Sequence, residues 1–454
     1  MYQFLQTTAV LLAGISVLAS FMIVIRLKQP VSFAWWAIKI FITALAPFFA
    51  IASIFDVLLC IITGPLWMVI PGIYSTLVFF IYLYRVNNTI HAPTGLKQAY
   101  GPDWENRIKQ GQKEHFLSNP VSLTIPAGSA FIFRQDIPFC VIPGTNRELL
   151  CDIWTPADNA ARSGVAFIYF HGSAWGVLDK DFGTRPFFKH LVSQGHVIMD
   201  VAYRLFPETD MTGMVNDVYR AIAWMKTQAS DLKIEPDRIV IGGASAGGHL
   251  SLLAAYSKSP AFIPVELSDT DLSVHAVISE YGPSDLQALY YHTGQDITTR
   301  RQQKRGASKP TPKWVQRMMG KNFHRLGMDK DLSAIGILPV ILGCYPDQCP
   351  EIYAAFSPVT HVHKDCPQTL ILQGSHDLIT SVVATRKFYK RLIKKGVTVA
   401  MYLIPQTDHA FDLILPNISP AAHTAFYFVE RFLALQVEGA AVLKNASMPK
   451  NIGK

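Results

Sequence analysis

The first 25 residues of this 454-residue chain carry no charged side chain, and between Ile40 and Tyr84 the only charge is Asp56. Stretches so poor in charge cannot supply the polar face of an ordinary surface helix. About 20 apolar residues cross a bilayer, so the first stretch provides one span and the second has room for two. They are expected near Thr8–Ile25, Trp35–Phe55 and Ile62–Tyr84, with a turn around Asp56–Pro65. The basic n-region of a cleaved signal peptide is also missing from Met1–Thr8. Trp35, Trp36, Tyr82 and Tyr84 fall near the span ends, where aromatic belts sit. Arg26, Lys28 and Lys39 flank the first connection, and Arg85 and Lys97 come after the third span. Three spans put these groups on one side, which the positive-inside rule makes cytosolic. The expectation is a multi-pass protein of the endoplasmic reticulum with its larger part in the cytosol.

Cysteine is equally uninformative as a framework. There are six, none in a CxxC pair, which argues against a zinc site or a full disulfide scaffold. Free thiols are expected, although Cys344 and Cys349 could close a small loop in an oxidising compartment. No metal or cofactor is called for. The glycosylation triplets Asn417-Ile418-Ser419 and Asn445-Ala446-Ser447 speak for a lumen, the first weakened by Pro420. Internal repeats and low-complexity tracts are absent as well, which excludes a solenoid.

Beyond residue 85 the chain changes character. Residues 86–120 are polar, with Gly95, Gly101 and Pro102 as breakers, and read as a juxtamembrane connector. From 121 to 440, apolar runs alternate with helical patterns. Val165–Phe170 (VAFIYF), Val197–Val201 and Ile239–Ile241 read as buried strands. Phe131–Phe133, Leu149–Trp154, Val274–Ser279, Thr369–Leu372 and Val399–Ile404 add further strands, and Met214–Ser230 and Ala421–Leu435 read as helices. Such alternation predicts an α/β fold, a mainly parallel sheet with helices on both faces, and binding loops at the carboxyl ends of its strands. Residues 441–454 read as a flexible tail.

The chemistry gathers in those loops. Gly243-Ala244-Ser245-Ala246-Gly247 comes after one strand and precedes the helix pattern Leu250–Tyr256, the context of a nucleophile elbow. A serine hydroxyl needs a base, and the base needs an orienting carboxylate. Asp377 in Gln373-Gly374-Ser375-His376-Asp377 and His409 in Asp408-His409-Ala410-Phe411 come after later strands, in the chain order Ser–Asp–His. Asp285 and Asp408 are weaker candidates for the acid; His361, His363 and His376 are weaker candidates for the base. After VAFIYF comes His171-Gly172-Ser173-Ala174-Trp175, where the amides of Gly172 and Ser173, with that of Ala246, would make an oxyanion hole. His171 is expected to fix that loop and Trp175 to pack at the pocket rim.

These residues resemble the α/β-hydrolase family, and within it the hormone-sensitive-lipase-like esterase and carboxylesterase group. The resemblance covers about Val121–Leu435. It rests on His171-Gly172-Ser173-Ala174-Trp175, Tyr203-Arg204-Leu205-Phe206-Pro207-Glu208 and Gly243-Ala244-Ser245-Ala246-Gly247-Gly248. It implies a serine hydrolase with an inserted lid, about 286–355; fungal pathway hydrolases of secondary metabolism are among the similar proteins. Ser173 stands where the group usually has glycine, and its side chain is expected to narrow the acyl site. Within the lid, Ile297–Arg325 carries nine Lys or Arg and no Asp or Glu, with Trp314, Met318 and Met319 interspersed. Contact with anionic lipid is one reading of that charge and a solvated loop the other; no nucleic-acid motif accompanies it. The expected partners are a small-molecule acyl substrate and membrane lipid. Ester hydrolysis is the first expectation; amidase, deacetylase, formamidase or acyltransferase activity would use the same residues, and a binding module on a dead fold would lack one of them.

Overall fold

A computed structural model describes residues 2–28, 33–294 and 337–437. Four helices come first: α1 (Tyr2–Val24), α2 (Phe33–Ala44), α3 (Ala46–Thr63) and α4 (Val69–Asn87). Among the described residues, three helical stretches are long and apolar enough to cross a membrane: Tyr2–Val24, Ala46–Thr63 and Leu66–Tyr100. The second does not lie where the hydropathy pattern alone puts it. The helix breaks at Leu45, and Pro47 occupies the first turn of α3, the one helical position where a missing N–H costs nothing. The turn is also displaced: Gly64 ends α3 with φ +98°, and Pro65, a common helix stop, comes next. Asp56 therefore sits inside α3, buried, and accepts a hydrogen bond from the Ser16 hydroxyl of α1. Gln6 donates to the Thr63 carbonyl, so α1 and α3 run antiparallel.

The remainder is built on an eight-stranded sheet of order β1-β2-β4-β3-β5-β6-β7-β8. Its strands are Phe131–Val141, Glu148–Pro156, Ala166–Phe170, Val197–Ala202, Ile239–Ala244, Ala276–Glu280, Gln368–Gly374 and Val399–Ile404, β1 to β8 in turn. The pairs β1/β2 and β2/β4 are antiparallel, and every later pair is parallel. β3 and β5 are buried along their whole length, as strands covered on both faces must be. This is the α/β-hydrolase fold. Arg185–Val192 and Pro420–Leu435 pack on one face; Met211–Thr227, Ala246–Tyr256 and Val382–Lys394 pack on the other.

The N-terminal helices are packed into the rest of the chain. Ala19, Ile23, Ala46, Ala50, Phe79, Tyr82 and Val86 belong to the same apolar core as Phe167, Tyr169, Ile278 and Phe428. The segment after α4 covers the exposed edge of β8: the Met401 amide donates to the Thr94 carbonyl at 2.7 Å, and the Thr94 hydroxyl to the Met401 carbonyl at 2.6 Å. An edge strand left bare is an aggregation hazard. Phe167, near the start of β3, is fully buried and meets Tyr169 and Phe187 edge-on. Phe167→Ala is expected to cost about 3–5 kcal/mol, read as a lower urea midpoint of the detergent-solubilised chain.

Candidate active site

Ser245 sits between β5 and the helix Ala246–Tyr256 with φ +50° and ψ −116°, a conformation costing about 1–3 kcal/mol. The surroundings enforce it. A Cβ on Gly243 would lie 2.0 Å from the Phe170 carbonyl oxygen and one on Gly247 1.9 Å from it, so glycine alone fits either side of the serine. The Ser245 amide donates to the Glu280 carbonyl at 2.8 Å, tying the elbow to β6.

The loops after β7 and β8 converge on this point. His409 Nε2 is 2.9 Å from Ser245 Oγ, and His409 Nδ1 is 3.1 Å from both Asp377 oxygens. Asp377 is buried and also accepts from the amides of Ile379 (2.9 Å) and Thr380 (2.7 Å) and from Gln373 Nε2 (3.2 Å). Those donors fix the orientation of the carboxyl group and aim it at the imidazole. The weaker candidates lie elsewhere. Asp285 caps the helix Leu286–His292 through the Ala288 amide. Asp408 takes the backbone amides of Leu378 and His409. His361 and His363 bind the carbonyls of Ala355 and Tyr256.

Gly172 brings the loop after β3 against the serine; a Cβ there would be 3.3 Å from the Ala244 carbonyl oxygen and 3.4 Å from Ser245 Cβ. The amides of Gly172, Ser173 and Ala246 donate no hydrogen bond among the described residues. The expectation that Ser173 narrows the acyl site meets a different arrangement. Tyr203 donates to the His171 carbonyl at 2.9 Å, so Ser173 donates to Tyr203 (2.6 Å) while accepting from the Trp175 amide (2.9 Å). The hydroxyl is used up in bracing the loop. His171 stacks on Tyr203. Trp175 is buried rather than at a rim, and its Nε1 donates to His249 Nδ1 at 3.2 Å.

Tyr203, His249, Tyr281 and Asp412 are additions to the site. The Tyr281 ring meets the His409 ring at 4.5 Å, edge to face, and its hydroxyl donates to buried Asp412. Burial pushes Asp412 up to about 6 and raises neighbouring Glu280 well above the carboxylate range. Tyr203 opens one of the three motifs that carry the family resemblance; the others have no local signal, since each acts on a residue distant in the chain. The basic segment Ile297–Arg325 and the Asn445 triplet fall outside the described residues.

Known proteins show similar sequences. The BD-FAE family matches residues 151–325 and the prolyl oligopeptidase family residues 340–434. The chain is 32% identical over 288 residues to the probable carboxylic ester hydrolase LipM of Mycobacterium tuberculosis, covering 62% of this chain and 57% of LipM. It is 27% identical to the esterase LipQ of the same organism, over 72% of this chain and 70% of LipQ. The chain thus spans little more than half of LipM. A solved esterase of Thermogutta terrifontis is 20% identical, covering 70% of this chain and 96% of its own, with a TM-score of 0.48.

His249 generates a pH prediction. It is buried, and with Nδ1 accepting from Trp175 its Nε2–H donates to the Phe356 carbonyl at 2.8 Å, an arrangement open only to the neutral ring. Burial lowers it from 6.5 to about 4, so between those values the folded chain binds fewer protons than the unfolded one. Stability must then fall as pH drops from about 6.5 towards 4. Urea midpoints at pH 7 and 4.5 are expected to differ less in His249→Gln than in the wild type.

Proposed function

We propose that this α/β-hydrolase is a membrane-anchored serine hydrolase acting on carboxylic esters. The observation that carries the reading is the unbroken line Ser245–His409–Asp377, with hydrogen-bond distances at each junction. Similarity to mycobacterial proteins named as ester hydrolases supports the same conclusion.

In this reaction Ser245 Oγ attacks the ester carbonyl while His409 Nε2 takes its proton. Asp377 keeps the proton of neutral His409 on Nδ1 and stabilises the imidazolium that forms. The amides of Gly172, Ser173 and Ala246 receive the oxyanion; one such donor is worth about 3–4 kcal/mol. His409 then protonates the departing alkoxide, leaving an acyl-Ser245 ester that water resolves by the same route. Because the anchor and the catalytic core are one apolar body, the substrate class that fits is a hydrophobic, membrane-partitioned ester, lipid-like or a secondary metabolite.

The membrane is proposed to be that of the endoplasmic reticulum, crossed three times by α1, α3 and α4. Arg26, Lys28 and Arg85, on the side of the catalytic domain, favour the cytosol; Lys39, buried against that domain, no longer counts among them. A second reading, with the domain in the lumen, is favoured by Cys344 and Cys349. The sequence favours free thiols there, whereas they form a disulfide, a bond rare in the cytosol. Added protease is expected to digest the domain in sealed microsomes; full protection would establish the lumenal reading.

Kinetics on p-nitrophenyl esters test the activity. Ser245→Ala is expected to abolish turnover, and Asp377→Asn to lower kcat by about 10⁴-fold through the wrong imidazole tautomer. Wild-type rates in Ser245→Ala would overturn the reading.

A further inference from the structure

Lys39 on α2 is fully buried, and its ammonium does something no catalytic motif accounts for. It donates to the Ile25 carbonyl at 2.6 Å and to His376 Nδ1 at 3.1 Å, and lies 3.8 Å from Asp408 Oδ2. His376 immediately precedes Asp377, and Asp408 immediately precedes His409. One cation from the anchor therefore touches both catalytic loops, each at the residue before the one that matters.

The two loops are already joined to each other. The His376 amide donates to the Thr407 carbonyl at 2.9 Å, the Gln406 amide to Ser375 Oγ at 2.8 Å, and the Ser375 amide to the Ile404 carbonyl at 2.8 Å. Gln406 and Ala410 hold φ values of +55° and +60°, which persist only where neighbours enforce them. Asp408 Oδ1 fixes the amides of Leu378 and His409 at 2.9 and 2.8 Å, while Oδ2 has no hydrogen-bond donor among the described residues. The charge of Lys39 is what compensates that oxygen. Removing one member of a buried pair strands the other, so loss of Lys39 would leave the Asp408 carboxylate uncompensated beside the catalytic loops. A second strut from the anchor, the Tyr82 hydroxyl of α4, stands 3.4 Å from Thr407 Oγ1.

The helix that carries Lys39 is placed to feel the bilayer. At 12 residues it extends about 18 Å, too short to cross. Its inner residues Lys39, Ile40, Thr43 and Ala44 are buried, while Ala34, Trp35, Ile38 and Phe41 are exposed on the opposite side. Only Leu45 separates it from the span α3, and a lipid surface is the apolar occupant that such proximity to a span provides for that face.

We propose that Lys39 is a positioning residue: carried on a helix that rests on the bilayer surface, it holds the Asp377 and His409 loops in register with Ser245. The inference rests on the ester-hydrolase reading, and extends it by making the anchor part of the catalytic machinery. The test uses full-length protein in lipid nanodiscs and a p-nitrophenyl ester, with kcat, KM and thermal unfolding measured for Lys39→Met, Lys39→Arg, Asp408→Asn and the Lys39→Met/Asp408→Asn double variant. Lys39→Met is expected to lose about 10- to 100-fold in kcat, the effect of a small misplacement of catalytic groups, with KM within about twofold. Lys39→Arg is expected to recover most of the loss. The double variant is expected to be no slower than the slower single variant, because both act on one contact. Should Lys39→Met fail to fold, the double variant, in which no buried charge is stranded, carries the comparison with wild type. A folded Lys39→Met with wild-type kcat, a Lys39→Arg as slow as Lys39→Met, or losses that multiply would each overturn the proposal. Ser245→Ala measured alongside separates the two failures: if it is inactive while Lys39→Met is normal, only the role of Lys39 falls.

Discussion

The approach of two backbones at the Phe170 carbonyl governs the rest of the site. Both flanks of the elbow, Gly243 and Gly247, pass so close to that oxygen that a Cβ on either would overlap it. The contact presses the end of β3 onto the end of β5, which sets the next residues, His171 to Ser173, beside the Ser245 hydroxyl. A looser junction would leave the nucleophile and the oxyanion amides on separate loops with no fixed relation. Strain at Ser245 is the local cost, and the full burial of β3 and β5 holds it in place.

Around that junction the supports are mostly polar groups buried with their partners. Tyr203 and Ser173 brace the oxyanion loop from one side, His249 and Trp175 from beneath, Tyr281 and Asp412 the base, and Lys39 both triad loops. Each group is costly to bury alone and inexpensive to bury satisfied. The arrangement therefore resists movement in any one part. It also ties the N-terminal helices to the site, because residues of α1, α3 and α4 share one apolar core with the sheet.

Much of this is legible from the chain alone. The apolar run VAFIYF marks a strand buried on both faces, and the elbow motif lies between strand and helix as its geometry demands. The order of Ser245, Asp377 and His409 picks out the three residues the structure brings together. Two kinds of feature are not legible. Span boundaries are misplaced because hydropathy is blind to a break between two apolar helices; Pro47 and Gly64 mark the true ends. Asp56 reads as a turn because a lone charge among apolar residues looks like an exit from the bilayer, whereas a serine from another helix meets it inside. The supports are invisible for a different reason. Lys39 and His376 are 337 residues apart, and nothing in the local pattern around either foretells the contact.

The central claim is that Ser245 is the nucleophile of an acyl-transferring site. Intact membranes treated with a fluorophosphonate, then digested for peptide mass spectrometry, address it most directly. The account predicts a single phosphonyl adduct on the peptide containing Ser245, absent in His409→Ala. An unmodified Ser245 peptide, or an adduct on another serine that persists in Ser245→Ala, would contradict it.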